Sequence, residues 1–195
     1  MPTITRLRAH GAGRVAVDLD GRAWRVVPAE AVLAAGLHVG DELDRERARR
    51  LRRELVRVRA HGVATSALSR RERSVSALSD RLERAGTPPA VRRQTIAVLE
   101  RAGLVDDARV ARDRAAALAE RGYGDAAIAA DLERQGICPG LRAETIDQLR
   151  PEHERLRPIL ERRGIGPATA RYLARRGFGD EAVAAAAGVD FANGA

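Results

Sequence analysis

Hydrophobic and polar positions alternate from Arg14 to Val27 around an Asp20-Gly21 pair. A period of two broken by that dipeptide predicts a β-hairpin with a two-residue turn. Such a turn sets Val15 opposite Val26 and Val17 opposite Trp24, four apolar side chains on one face of the ribbon. Pro28 is placed to open a short helix through Ala35, which Gly36 closes. Leu37–Leu43 is expected to add one more short strand, because a lone hairpin is only marginally stable. From Asp44 to about Ala60 the period lengthens to that of a helix, with Leu51, Leu55 and Val58 on one stripe. Beyond residue 65 the pattern is of short amphipathic helices separated by Gly or Pro.

That second region repeats itself. Leu82-Glu83-Arg84-Ala85-Gly86 recurs fifty residues later as Leu132-Glu133-Arg134-Gln135-Gly136, and Thr95-Ile96-Ala97-Val98-Leu99 recurs at the same offset as Thr145-Ile146-Asp147-Gln148-Leu149. A shorter third copy is Leu173-Ala174-Arg175-Arg176-Gly177. Each full copy is expected to hold three helices. In the first they span 69–85, Pro88-Pro89 through Arg101, and Asp106-Asp107 through Arg121. In the second they span 124–135, 140–149 and 152–163, the last kinked or restarted at Pro158. The third copy keeps 167–176 and 179–187. Copies that cannot bury their apolar faces alone stack on their neighbours. The predicted fold is therefore mainly α, with tandem three-helix repeats in an elongated curved array behind a small N-terminal β-hairpin and helix. The expected segments are 1–62 for the hairpin and basic helix, 66–122 and 123–164 for the full repeats, 165–188 for the truncated one, and 189–195 as a flexible tail.

Charge changes this picture in one place. All 35 basic residues are arginine against 27 acidic ones, a formal net charge of +8. The absence of lysine reads as coding bias, so placement matters more than number. Between Asp44 and Ala60, eight arginines face three carboxylates, and this helix covers the hairpin with its arginine stems or meets an anionic partner. The aromatic residues, 3% of the chain, are too few and scattered for a platform that stacks single-stranded bases. No apolar run approaches the ~20 residues of a membrane span, and the start of the chain has no signal-peptide core, so a cytoplasmic protein is predicted. Cys138 is the lone cysteine.

Chemistry motifs are not legible. His10, His38, His61 and His153 have no metal-ligand spacing, and a chain without lysine has no phosphate-loop lysine. Asp106-Asp107 reads as a helix cap. Neither catalytic, metal nor cofactor residues are predicted. Gly164-Ile165-Gly166-Pro167-Ala168-Thr169-Ala170 is similar to the turn of helix-hairpin-helix modules, whose backbone amides hold a DNA phosphate. It supports an alternative in which residues 164–170 and the basic helix make a DNA-binding module that acts on its own.

Taken in order, four stretches resemble the RecX family of bacterial regulators of the RecA recombinase, over about residues 66–187. They are Ser74 to Gly86, Gly103-Leu104-Val105-Asp106-Asp107-Ala108-Arg109-Val110-Ala111, Arg121-Gly122-Tyr123-Gly124-Asp125 to Gly136, and Leu173-Ala174-Arg175-Arg176-Gly177-Phe178. Val110 stands where that family has an aromatic residue. The resemblance implies a non-enzymatic, monomeric protein that lies along the RecA filament on single-stranded DNA. There it blocks filament extension, ATP hydrolysis, strand exchange and SOS repressor cleavage, a role in homologous recombination and DNA repair. The contact residues it suggests are Arg70, Arg71, Arg73, Arg109, Arg121, Arg175 and Arg176, with Tyr123 and Gly124 in the close-approach turn. Arg49, Arg50, Arg53 and Arg57 of the basic helix are expected to add contacts to filament or DNA.

Overall fold

In a computed structural model of the chain, which describes residues 1–188, the alternating segment forms the expected hairpin of β2 (Arg14–Leu19) and β3 (Arg22–Pro28). Asp20 and Gly21 adopt φ of 48° and 77°, the left-handed pair whose twist matches that of the strands. The register differs from the one expected. A bulge after Val17 sets that residue opposite Arg25 and Val15 opposite Val27, and Trp24 becomes the unpaired extra residue, 39% exposed. The third strand is β1 (Ile4–Ala9), antiparallel to β2, in the order β1-β2-β3. Its apolar residues Ile4 and Leu7 are three apart and show no alternation. A second bulge between Ile4 and Arg6 reverses the parity, so both join the core. Leu37–Leu43, expected as a strand, instead follows the start of β1. Ile4 N–H donates to Asp41 and Gly40 N–H to Ile4, both at 2.8 Å, with one isolated bridge between Thr3 and Glu42.

Helix α1 (Ala29–Ala34) begins after Pro28 and ends at Gly36 with φ 64°, as the sequence predicts. Helix α2 (Arg45–Leu68) is capped by Asp44, whose carboxylate accepts from Arg47 N–H at 2.7 Å. Leu51, Leu55 and Val58 pack on the sheet core. The helix then runs past both Ala60 and the expected segment end at 62, because Ala60, Ala64 and Ala67 continue a buried stripe that Gly62 does not interrupt.

The rest is helical. Helices α3 (Val75–Arg84), α4 (Pro89–Arg101) and α5 (Asp107–Glu120) correspond to the first copy. Helices α6 (Asp125–Arg134), α7 (Pro139–Asp147) and α8 (Glu152–Arg163) correspond to the second, and α9 (Pro167–Arg175) and α10 (Asp180–Ala187) to the third. Helix α3 starts at Val75 rather than 69, because the Ser74 hydroxyl accepts from Ala77 N–H at 3.2 Å and caps it there. Helix α8 continues through Pro158 without restarting. The expected tail, 189–195, lies outside the described residues. The chain divides into two compact units, 1–71 with 78–102, and 72–77 with the chain from Gly103 onward, so the division passes within α3.

The fifty-residue repeat is chemical as well as textual. Leu78 and Leu82 are fully buried, as are Ile128 and Leu132 fifty positions later, each contributing about 2 kcal/mol of apolar burial. Glu83 pairs with Arg92 at 3.0 Å, and Glu133 with Arg142 at the same distance. Within the second unit one joint occurs twice. The Ser74 hydroxyl donates to the Gln135 carbonyl at 2.5 Å, and at the equivalent place Gly124 N–H donates to the Arg176 carbonyl at 2.9 Å. The first amide of α3, at Val75, donates to Asp107 at 2.8 Å, while the first amide of α6, at Asp125, donates to Glu152 at 2.6 Å. Both Asp106 and Asp107 are thus caps, Asp106 for its own helix through Arg109 N–H and Asp107 for another. At the second joint Ala126 N–H also reaches Gly177 O at 3.1 Å. A Cβ on Gly124 would overlap the Gly177 carbonyl and the Phe178 amide.

Two outcomes follow. Gly124→Ala, forced into backbone it cannot displace, lowers stability by about 3 kcal/mol in a urea midpoint measurement, whereas Gly140→Ala, which meets open space, leaves the midpoint within about 0.5 kcal/mol. The Asp131 carboxyl is held below its ordinary value of 3.8, first by its hydrogen bond from Arg114 and further by Arg134. A carboxyl lowered on folding contributes stability that is full above the ordinary value and lost as pH falls below it. Thermal scans from about pH 4 down to about pH 2 therefore show a shallower loss of Tm for Asp131→Asn than for the parent chain.

Candidate functional site

The second unit gathers arginine and tyrosine where α5, α8 and α9 end. Gly122, with φ 76°, turns the chain out of α5, and Tyr123 N–H closes that turn on Leu118 O at 3.1 Å. The Tyr123 ring lies 4.5 Å from the Arg176 guanidinium and 5.7 Å from that of Arg121. Arg176 also lies 5.2 Å from the Tyr172 ring and donates to the Arg121 carbonyl at 3.0 Å. Arg163 sits over Tyr172 at 4.1 Å. Each cation–ring contact is worth about 0.5–1 kcal/mol at an exposed site. Arg121, Arg162, Arg163 and Tyr172 line an open cleft of about 430 Å³, completed by Glu120, Gly122 and Ile159.

Beneath the Tyr123 turn lies Arg155, 8% exposed. It donates to the carbonyls of Tyr123 and Arg150, each at 2.8 Å, and pairs with the Asp125 carboxylate. Burial pushes the Asp125 carboxyl above its ordinary value and the neighbouring Glu152 adds to the shift, against the pull of Arg155. Glu152 meanwhile accepts from the amides of Asp125 and Gly179. The buried Arg155 guanidinium fixes the turn that carries Tyr123.

The predicted contact residues fall into different surroundings. Arg121 and Arg175 are exposed, as are Arg70 and Arg71, while Arg73 is half-buried. Arg109 is half-buried and engaged at the surface by the chain itself, with Glu72 at 2.6 Å and the Gly103 carbonyl at 3.3 Å. Arg176 is held between two rings, Tyr123 is half-buried, and Gly124 is buried. Its close approach is to the chain's own Gly177. On α2, Arg50 pairs with Glu46 and Arg57 with Glu54 and Glu30. Arg49 and Arg53 instead line a groove of about 300 Å³ with Arg52, Val56, Pro88 and Val91. The glycine-rich turn at 164–170 spends its Gly166 amide on Ala186 O at 2.8 Å, which docks the end of α10. Arg162, Arg163 and Tyr172 were not singled out from sequence. Their signal was the Arg-Arg-Gly that closes α8 at 162–164 and returns at the end of α9 at 175–177.

No protein-family model matches the chain, and no curated protein matches it. Solved structures do. A crystal structure of regulatory protein RecX superposes with a TM-score of 0.77 over 93% of this chain and 97% of that one, at 19% identity. The chain has the RecX fold. RecX from Lactobacillus salivarius superposes at 0.60 over 67% of this chain and 94% of its own, at 14% identity. In this chain that fold is mainly helical after a small N-terminal antiparallel sheet, and the arginine–tyrosine cluster lies among the last described helices. No described helix is long and apolar enough to cross a membrane.

Removing Arg155 takes the donor from the Tyr123 and Arg150 carbonyls and the cation from the half-buried Asp125. Arg155→Met therefore lowers stability by about 3 kcal/mol, and Arg155→Met with Asp125→Asn recovers part of that loss, read by denaturant unfolding of both variants.

Proposed function

We propose that the chain is a RecX-type regulator, not an enzyme, that binds the RecA filament on single-stranded DNA and blocks its extension. Loss of extension carries with it loss of ATP hydrolysis, strand exchange and SOS repressor cleavage. The observation behind this reading is the superposition on regulatory protein RecX, which accounts for nearly the whole of both chains. The physical character of the surface agrees with it. On α2, Arg45, Arg49, Arg52, Arg53 and Arg59 have no carboxylate partner among the described residues, so their charge is available to an anionic partner. Contacts spread along tandem helices raise affinity for a repeating polymer without any reacting group. In this reading the protein works as a monomer in the cytoplasm, and Arg70, Arg71, Arg121 and Arg175 are its exposed contacts in the helical region.

The test is ATP hydrolysis by the cognate RecA on single-stranded DNA as the protein is titrated in, beside a DNA-only binding assay at two salt concentrations. Hydrolysis is expected to fall at substoichiometric protein, at salt where DNA binding alone is weak. No effect at stoichiometric excess overturns the proposal, and steep salt-sensitive DNA binding in that same experiment favours a DNA-binding module instead. A variant with Arg49, Arg50, Arg53 and Arg57 changed to Ala is expected to inhibit less and to show a smaller salt slope. Unchanged values remove α2 from the contact surface.

A further inference from the structure

The cleft lined by Arg121, Arg162, Arg163 and Tyr172 contains a concentration of cations that the fold does not neutralise. None of the three arginines has a carboxylate within ion-pair distance among the described residues. This contrasts with Arg109, Arg114, Arg134, Arg142 and Arg155 of the same unit, each of which is paired. The three cations are also ordered. Arg163 lies on the Tyr172 ring at 4.1 Å, and a guanidinium stacked by its face keeps its N–H donors available at its edge. Arg162 is tied by its Nε to the Pro158 carbonyl at 3.1 Å, which leaves its terminal nitrogens unengaged. Arg121 lies near the Tyr123 ring at 5.7 Å. Holding like charges around one concavity is unfavourable unless an anion enters, and a tetrahedral oxyanion with several acceptors satisfies more than one guanidinium at once.

We propose that this cleft is a phosphate-binding site, taking a phosphate of a free polyphosphate or of a nucleic-acid strand. Tyr172 and Ile159 supply its apolar wall, and Glu120 is the one carboxylate in the lining. Glu120 opposes the anion and so sets an upper limit on affinity. Stacking on Tyr172 pre-orders Arg163, which reduces the side-chain entropy lost on binding. The proposal is independent of the recombinase reading, since it concerns one concavity and one chemical group.

The experiment is isothermal titration calorimetry on the full chain at low salt, with inorganic tripolyphosphate and, separately, a short oligothymidylate. One binding event of tripolyphosphate per chain is expected, weakened at least tenfold in Arg162→Ala/Arg163→Ala and in Arg121→Ala, and strengthened in Glu120→Gln. A control of equal charge change on α4, Arg93→Ala/Arg101→Ala, is expected to alter it less than twofold. If the oligonucleotide binds, loses affinity in the cleft variants and is displaced by tripolyphosphate, the strand is the source of the phosphate. If tripolyphosphate alone behaves this way, the source is free polyphosphate. Equal weakening by cleft and control variants means diffuse charge and overturns the site, as does the lack of saturable binding of either probe. All the substituted arginines are exposed, and unchanged unfolding curves exclude a folding defect.

Discussion

The first amides of α3 and α6 need hydrogen-bond acceptors that their own helices do not provide, because a helix N-terminus leaves its leading N–H groups unsatisfied. The structure answers that need from elsewhere in the chain. Asp107, at the start of α5, accepts from Val75 N–H, and Glu152, at the start of α8, accepts from Asp125 N–H. Beside each carboxylate, the chain leaving a later helix supplies a carbonyl, that of Gln135 in one case and of Arg176 in the other. Helix order in the second unit depends on these two joints, since each links three helices through hydrogen bonds whose geometry tolerates little change. The glycines follow from it. Where Ser74 uses its hydroxyl to reach Gln135, Gly124 must bring its own amide to Arg176, and that approach leaves no space for a side chain.

The same joint organises charge. Drawing α6 against the end of α9 brings Tyr123 beside Arg176, and Arg176 in turn bridges to Tyr172. Arg155, buried below, satisfies the Tyr123 carbonyl and balances Asp125. A buried guanidinium is tolerable only with such partners. The outcome is a division among arginines that look alike in sequence. Those at 109, 114 and 155 are structural and paired, whereas those at 121, 162 and 163 surround an open cleft with no opposing carboxylate in contact. Most of the positive charge in α2 is similarly unopposed, although Arg47, Arg50 and Arg57 are paired.

Much of the architecture was legible from local chemistry. The Asp20-Gly21 turn, the Pro28 and Gly36 limits of α1, the start of α2 near Asp44, the Asp106 cap and the fifty-residue repeat all rest on preferences of short segments, and all are present. Strand β1 was not legible, because a bulge converts a three-residue spacing into a common face. The pairing of Val17 with Trp24 failed for the same reason, a bulge that no dipeptide announces. For α2, the end near Ala60 was misjudged because a stripe of alanines signals burial weakly in sequence. Of the candidate site, Arg121 and Tyr123 are legible through a stretch that resembles the RecX family, whereas Arg162, Arg163 and Tyr172 are not. Their significance lies in mutual proximity.

The sequence by itself determined the hairpin and the helices, where most of them start and stop, and that the helical region is built from one repeated unit. Those properties depend on neighbours within a few positions of the chain, through periodicity, capping and turn geometry. Only the tertiary structure decided which arginine is neutralised and which is free. It also decided that Gly124 is required by Gly177 and that Arg155 must be buried. Ion pairing, desolvation and steric overlap act between residues tens of positions apart, at distances set by packing, and identical Arg-Arg-Gly segments carry no record of what will stand opposite them.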